Sequence, residues 1–152
     1  MRADGVMKSG TAELRKPGVP RYRLVSHSAD GGATWSASTP DDELTDPSVQ
    51  ASMLRYAWGA HDRTEDRGVL LFANPGDPGR RARLTVRASF DDGATWPVQR
   101  VVQAGDSAYS SLTRQADGKI GVLYEAGRFG RTINYARFDL AWLRGGPGAA
   151  TP

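Results

Sequence analysis

Ser28–Trp35 reads SADGGATW, and Ser89–Trp96 reads SFDDGATW. Both spell Ser-x-Asp-x-Gly-x-Thr-Trp, and the second copy begins 61 residues after the first. Each copy follows a stretch of alternating polarity, so each reads as the turn of a hairpin. Asp30 and Asp91 are placed to accept hydrogen bonds from turn N–H groups. Gly32 and Gly93 permit a positive φ. Trp35 and Trp96 offer a large apolar body that can fold back over the turn. Ser28, Thr34, Ser89 and Thr95 complete the two copies. A catalytic or calcium-binding role for Asp30 or Asp91 is the weaker reading, because a self-contained turn accounts for both without it.

Working outward, β-rich runs recur along the chain. Arg21–Ser28, Met53–Trp58, Gly68–Pro75, Arg83–Phe90, Lys119–Gly127 and Ile133–Leu143 are each bounded by Gly, Pro, Asp or Asn. In the fourth run Leu84, Val86 and Ala88 alternate with Thr85 and Arg87, which assigns the two sets to opposite faces of a strand. No convincing amphipathic helix is visible, although DDELTDP (Asp41–Pro47) has room for one helical turn. The 18 glycines and 9 prolines favour many short strands and turns. Strands with an internal repeat point to an all-β, radially repeated fold such as a propeller.

Composition excludes several classes. The length of 152 residues suggests one domain. The net charge of +3 arises from 20 basic and 17 acidic residues without a block of one sign, so no nucleic-acid-binding tail is expected. Cysteine is absent, which removes disulfides and thiolate metal sites and leaves the compartment open. No apolar run approaches the ~20 residues of a membrane span. No signal peptide is visible at Met1, and the opening MRADGVMKSG reads like mid-domain sequence.

The octapeptide resembles the Asp-box of sialidases and other propeller proteins. The blocks SVQASMLRY, GVLLFANP, RARLTVRASFDDGATWP, AYSSLTRQADGKIGVLYEAG and INYARFDLAWL follow in the order seen in the C-terminal half of bacterial exo-sialidases (neuraminidases). The resemblance covers nearly all of residues 1–143 and implies a six-bladed β-propeller, a glycoside hydrolase fold. This chain has length for about half of it: the end of one blade, a full blade and a closing blade. Residues 144–152 (RGGPGAATP) are expected to form a disordered tail.

The resemblance also implies a site. Sialic acid carries a carboxylate at its anomeric carbon, and planar guanidinium groups bind carboxylates through paired N–H···O bonds. The family uses three arginines, and the match places the second at Arg15 and the third at Arg81. Glu13 stands where the family usually has Asn, two residues before Arg15. Arg80, Arg83 and Arg87 are the neighbours from which register separates Arg81. Tyr109 matches the nucleophile. A carboxylate nucleophile is repelled by the substrate carboxylate, whereas a neutral phenol is not, but a phenol of pKa near 10 needs a base beside it. The family glutamate that serves as base precedes a DG turn matched here by Ala3–Gly5, and only Met1 and Arg2 stand before that turn. That glutamate, the general-acid aspartate and the first arginine are therefore expected to lie outside this chain. Glu125 matches an acid that buttresses the arginine clamp.

His27 and His61 are too isolated to suggest a metal site, and no metal or cofactor is implied. Trp58, Trp96 and Trp142 read as core or blade-closing residues. The expected partner is a sialylated glycoprotein, glycolipid or oligosaccharide, with no nucleic acid and no membrane span. The parent is expected to be monomeric and, as is frequent in the family, secreted or at the cell surface. Three functions stay open on the sequence: part of a retaining exo-α-sialidase, inactive as this piece alone; a non-catalytic module binding sialic acid or another glycan; and a structural propeller without a sugar site.

Overall fold

The run GVLLFANP becomes a strand, Gly68–Pro75, in which every residue is buried. Its two faces explain why. Leu70 and Phe72 point to a small cluster with Leu44 and Trp96. Val69, Leu71 and Ala73 point to the main core, with Leu84, Val86 and Ala88 on one side and Ile120, Val122, Ala136 and Phe138 on the other. A strand covered on both faces reads as continuous apolar sequence rather than as alternation.

The computed structural model describes residues 6–8, 21–58, 68–128 and 130–146, with only the backbone of residues 6–8 and Trp58. The strands are β1 (Val6–Lys8), β2 (Tyr22–Ser26), β3 (Thr39–Thr45), β4 (Ser52–Trp58), β5 (Gly68–Pro75), β6 (Ala82–Ser89), β7 (Val98–Arg114), β8 (Ile120–Ala126) and β9 (Thr132–Phe138). A short helix, α1 (Leu140–Leu143), follows. The first three strands form one sheet, and β4 to β9 form a second, six-stranded sheet in sequence order. All pairings are antiparallel.

Strand β7 joins two units. Its residues from Val98 to Asp106 pair with β6, and those from Ser107 onward pair with β8. It is the last strand of a four-stranded unit β4–β7 and the first of the next unit, β7–β9. The sheet β1–β3 is the end of a preceding unit. This is the expected partial propeller: one blade end, one full blade and one closing blade. Both octapeptides occupy the same place in the repeat, between β2 and β3 and between β6 and β7.

Three local readings change. DDELTDP is not a helical turn, because Thr39–Thr45 is strand β3. Its acidic side chains serve the neighbouring unit: Asp41 Oδ2 accepts from the Trp96 indole at 3.2 Å, and Glu43 Oε2 accepts from the Trp96 backbone N–H at 2.8 Å. The last strand ends at Phe138 rather than Leu143. Asp139 caps α1 by accepting from Trp142 N–H at 2.6 Å, and Trp142 turns back onto Phe138 with ring centroids 4.8 Å apart. Strand β7 is absent from the sequence reading altogether. Its 17 residues show no regular burial alternation, since the strand changes partners midway.

The two octapeptides fold identically. Ser28 Oγ donates to Asp30 Oδ1 at 2.7 Å and accepts from Gly32 N–H at 2.8 Å. Asp30 accepts from Thr34 N–H at 2.9 Å and from the Thr34 hydroxyl at 2.6 Å. Ser89, Asp91, Gly93 and Thr95 repeat these contacts, within 0.1 Å, at 2.8, 2.8, 2.9 and 2.6 Å. Gly32 has φ +95° and Gly93 φ +88°, as the turn requires. The tryptophans differ. Trp35 donates to Gly32 O in its own turn at 3.1 Å and stays 41% exposed, whereas Trp96 reaches β3 and is 5% exposed. The first copy is a self-contained plug, and the second is also a rivet between sheets.

Asp91→Ala is therefore expected to destabilise the protein by about 1–2 kcal/mol in urea unfolding, and Asp30→Ala by less. Partial burial raises the Asp91 pKa, but hydrogen bonds from Thr95 and Ser89 outweigh it, and the net shift is downward. A depressed carboxyl stabilises above its unfolded pKa and loses that contribution as pH falls through its folded pKa. The gap between wild type and Asp91→Ala should narrow on acidification. A gap that widens in acid contradicts the assigned network.

Candidate functional site

Tyr109 sits where the pairing of β7 with β8 is irregular. Ser107 pairs with Ala126 and Ser110 with Tyr124, with a register shift between them. A bulge of this kind breaks the ladder and re-aims a side chain. The Tyr109 side chain is 48% exposed, and the peptide groups around it are bonded by side chains. Tyr109 N–H donates to Glu125 Oε2 at 3.3 Å. Ser110 N–H donates to Gln50 Oε1 at 2.9 Å, and Gln50 Nε2 donates back to Ser110 O at 3.0 Å. Two residues on, Leu112 N–H donates to Ser52 Oγ at 2.9 Å.

Arg81 stands just before β6, and its backbone carbonyl accepts from Ser107 N–H at 3.0 Å. Its side chain is exposed, donates to Ser48 O at 3.0 Å and lies with Cζ 5.8 Å from the centre of the Tyr109 ring. Ser48 takes φ 59°, an uncommon conformation for a residue with a side chain, and presents its carbonyl to Arg81 and its hydroxyl to Arg21, at 3.0 Å from Arg21 Nη1. A cation beside an exposed phenol ring is an attractive contact, and it leaves guanidinium N–H groups for an anion.

An open depression of about 270 Å³ adjoins these groups, lined in part by Gln50, Tyr109, Leu123, Glu125 and Ile133. Gly130, at φ +65°, closes on Glu125 so tightly that an added Cβ would stand 3.1 Å from Oε2. The folding of β6, β7 and β8 thus brings together Arg81, Tyr109 and Glu125, which lie far apart in sequence. Glu125 is held on the Tyr109 peptide. Arg15 lies outside the described residues. Asp30 and Asp91 spend their oxygens inside their own turns. Gln50 is not singled out by the sequence, although it stands in SVQASMLRY; its signal is a polar side chain two residues before a strand.

A profile of the BNR repeat-like domain matches residues 6–122. Among curated proteins, a sialidase of Micromonospora viridifaciens is 44% identical over 124 residues, covering 82% of this chain and 19% of its own length. An exo-alpha-sialidase of Aspergillus fumigatus is 33% identical over 148 residues, covering 87% of this chain and 34% of its own. Among solved structures, a Hadza microbial sialidase superposes with a TM-score of 0.65 at 31% identity, over 82% of this chain and 24% of that one. The chain spans between a fifth and a third of the length of these two curated relatives.

Proposed function

Because the chain belongs to the BNR repeat-like family, alongside sialidases, we propose that the protein carrying it is an exo-α-sialidase that releases terminal sialic acid with retention of configuration. The observation that supports this most is the placement of the Arg81 guanidinium 5.8 Å from the Tyr109 ring, with Glu125 on the Tyr109 peptide. In this reading Arg81, together with Arg15, holds the substrate carboxylate. The Tyr109 oxygen attacks the anomeric carbon, the bond to the aglycone oxygen breaks, and that oxygen takes a proton from a general acid. Water then attacks the tyrosyl-linked sugar from the face the aglycone left, so the first configuration is restored. The base for the phenol, the general acid and a third arginine come from propeller blades beyond these 152 residues, and the chain alone is inactive. Substrates are sialylated glycoproteins, glycolipids or oligosaccharides.

The test uses the longest form of the protein that contains this chain, a fluorogenic α-sialoside and NMR of the first-formed anomer. Release of the α-anomer is expected. Binding of sialic acid without turnover would instead favour a glycan-binding module. Arg81→Lys keeps the charge but removes the fork. It should weaken binding of a sialic-acid inhibitor roughly tenfold to a hundredfold, the equivalent of one charge-assisted hydrogen bond of about 1.5–3 kcal/mol. A change under twofold counts against Arg81 as a clamp residue.

A further inference from the structure

Tyr109 stands on an irregular stretch of β7, and a side-chain amide ties down the residue that follows it. Opposite the bulge, Gln50 presents both halves of its amide to Ser110. Oε1 accepts from Ser110 N–H at 2.9 Å, and Nε2 donates to Ser110 O at 3.0 Å. The pair reproduces the two bonds that a facing backbone residue would make in an antiparallel ladder. Nε2 also donates to Ala51 O at 2.8 Å, which fixes which end of the amide faces which group. The Ser110 hydroxyl donates to Ala73 O at 3.3 Å, so the residue after Tyr109 is tied both to β5 and to the segment entering β4. On the other side Glu125 accepts from Tyr109 N–H.

We propose that Gln50 is a positioning residue: its amide clasps the Ser110 peptide and so sets the direction in which the adjacent Tyr109 phenol points. This rests on the proposed role of Tyr109 as nucleophile. An unpaired residue in a bulged strand lacks the ladder bonds that fix its backbone, and each bond restored narrows the range of φ and ψ from which the side chain departs. Attack needs reacting atoms held near 3–3.5 Å, and a displacement of about 1 Å costs on the order of 10²-fold in rate. The hydrogen bonds of Gln50 act on Tyr109 through this peptide, so its loss should fall on turnover more than on binding. The Arg81 clamp has separate anchors, Ser48 O and Ser107 N–H.

Two substitutions separate positioning from general support of the fold. Gln50→Met removes both bonds at similar length. It should lower kcat at least tenfold, leave KM and inhibitor affinity within twofold, and speed amide hydrogen exchange at Ser110. Gln50→Glu adds a sign test. Its protonated carboxyl can still accept from Ser110 N–H and donate to Ser110 O, but the ionised form sets an oxygen against that carbonyl. The variant should keep activity at low pH relative to wild type and lose it as the carboxyl ionises, with its melting temperature compared at each pH. The proposal is overturned if kcat of Gln50→Met stays within twofold of wild type, if its activity falls only as the folded fraction falls, or if Gln50→Glu shows the wild-type pH profile. Failure of the sialidase reading is distinguishable: wild type then lacks turnover, while Ser110 exchange in Gln50→Met still reports whether the clasp exists.

Discussion

Replacing Tyr109 by phenylalanine, in the longest form of the protein that contains this chain, should reduce sialoside turnover by on the order of 10³-fold or more. Removal of a covalent nucleophile costs up to about 10⁶ in other hydrolases. The substitution deletes one oxygen from a side chain that is 48% exposed, so the fold should not register it. Exposed substitutions of this kind usually change stability by less than about 0.5 kcal/mol. The ring remains, and with it the face that Arg81 approaches. Affinity for a sialic-acid inhibitor should therefore stay within a few-fold, the reverse of the pattern expected for Arg81→Lys. Steady-state kinetics and calorimetric binding on the same preparation separate the two. Turnover within threefold of wild type would remove Tyr109 from the chemistry, whatever the other variants do.

The parts legible in the sequence are those whose cause is local. Every hydrogen bond within SADGGATW is made by its own residues, apart from its strand ends, so eight letters suffice to specify it. The run GVLLFANP could be read as a strand to the residue because both its faces are covered and Asn74 alone interrupts its apolar character. Strand β7 was illegible for the opposite reason. It belongs to two blades, and its polarity follows two different sets of neighbours, so no single period describes it. Asp41 and Glu43 stand in a stretch with room for a helical turn, and their partner in the strand they form is the distant Trp96. The same holds at the candidate site. Arg81, Tyr109 and Glu125 were reached through a resemblance, whereas Gln50 carries its meaning in a contact 60 residues away. Arg87, which the sequence sets among the arginines around Arg81, is 4% exposed.

Arg87 leads to the largest expected effect on stability. It lies beside Asn74, which is fully buried in β5. Asn74 Oδ1 accepts from Arg87 Nη1 at 2.7 Å, and Asn74 Nδ2 donates to Thr45 O, at the end of β3, also at 2.7 Å. One amide therefore bonds a buried cation and ties the two sheets. Burial pushes the Arg87 pKa down to about 10, with the charge of Asp41 opposing the shift, so the guanidinium is charged at neutral pH in poor surroundings. Its Nε has no hydrogen-bond partner, which leaves little to absorb a further loss. Asn74→Leu keeps the branched shape at a larger volume but strands the cation and the Thr45 carbonyl together. It should destabilise the protein by about 3–5 kcal/mol, since a hydrogen bond to a charge contributes about 1.5–3 and a buried carbonyl left unsatisfied costs about 1–3. Asn74→Asp gives Arg87 a carboxylate but sets an oxygen against the Thr45 carbonyl, and its loss should be smaller. The double variant Asn74→Leu with Arg87→Leu removes the charge that had been stranded. It should regain most of the stability, since apolar replacement of a buried polar pair is often neutral. Urea unfolding of wild type, Asn74→Leu, Arg87→Leu and the double variant completes a double-mutant cycle. If the double variant is no more stable than Asn74→Leu alone, the cost lies in packing, and the amide is not what holds Arg87 in the interior.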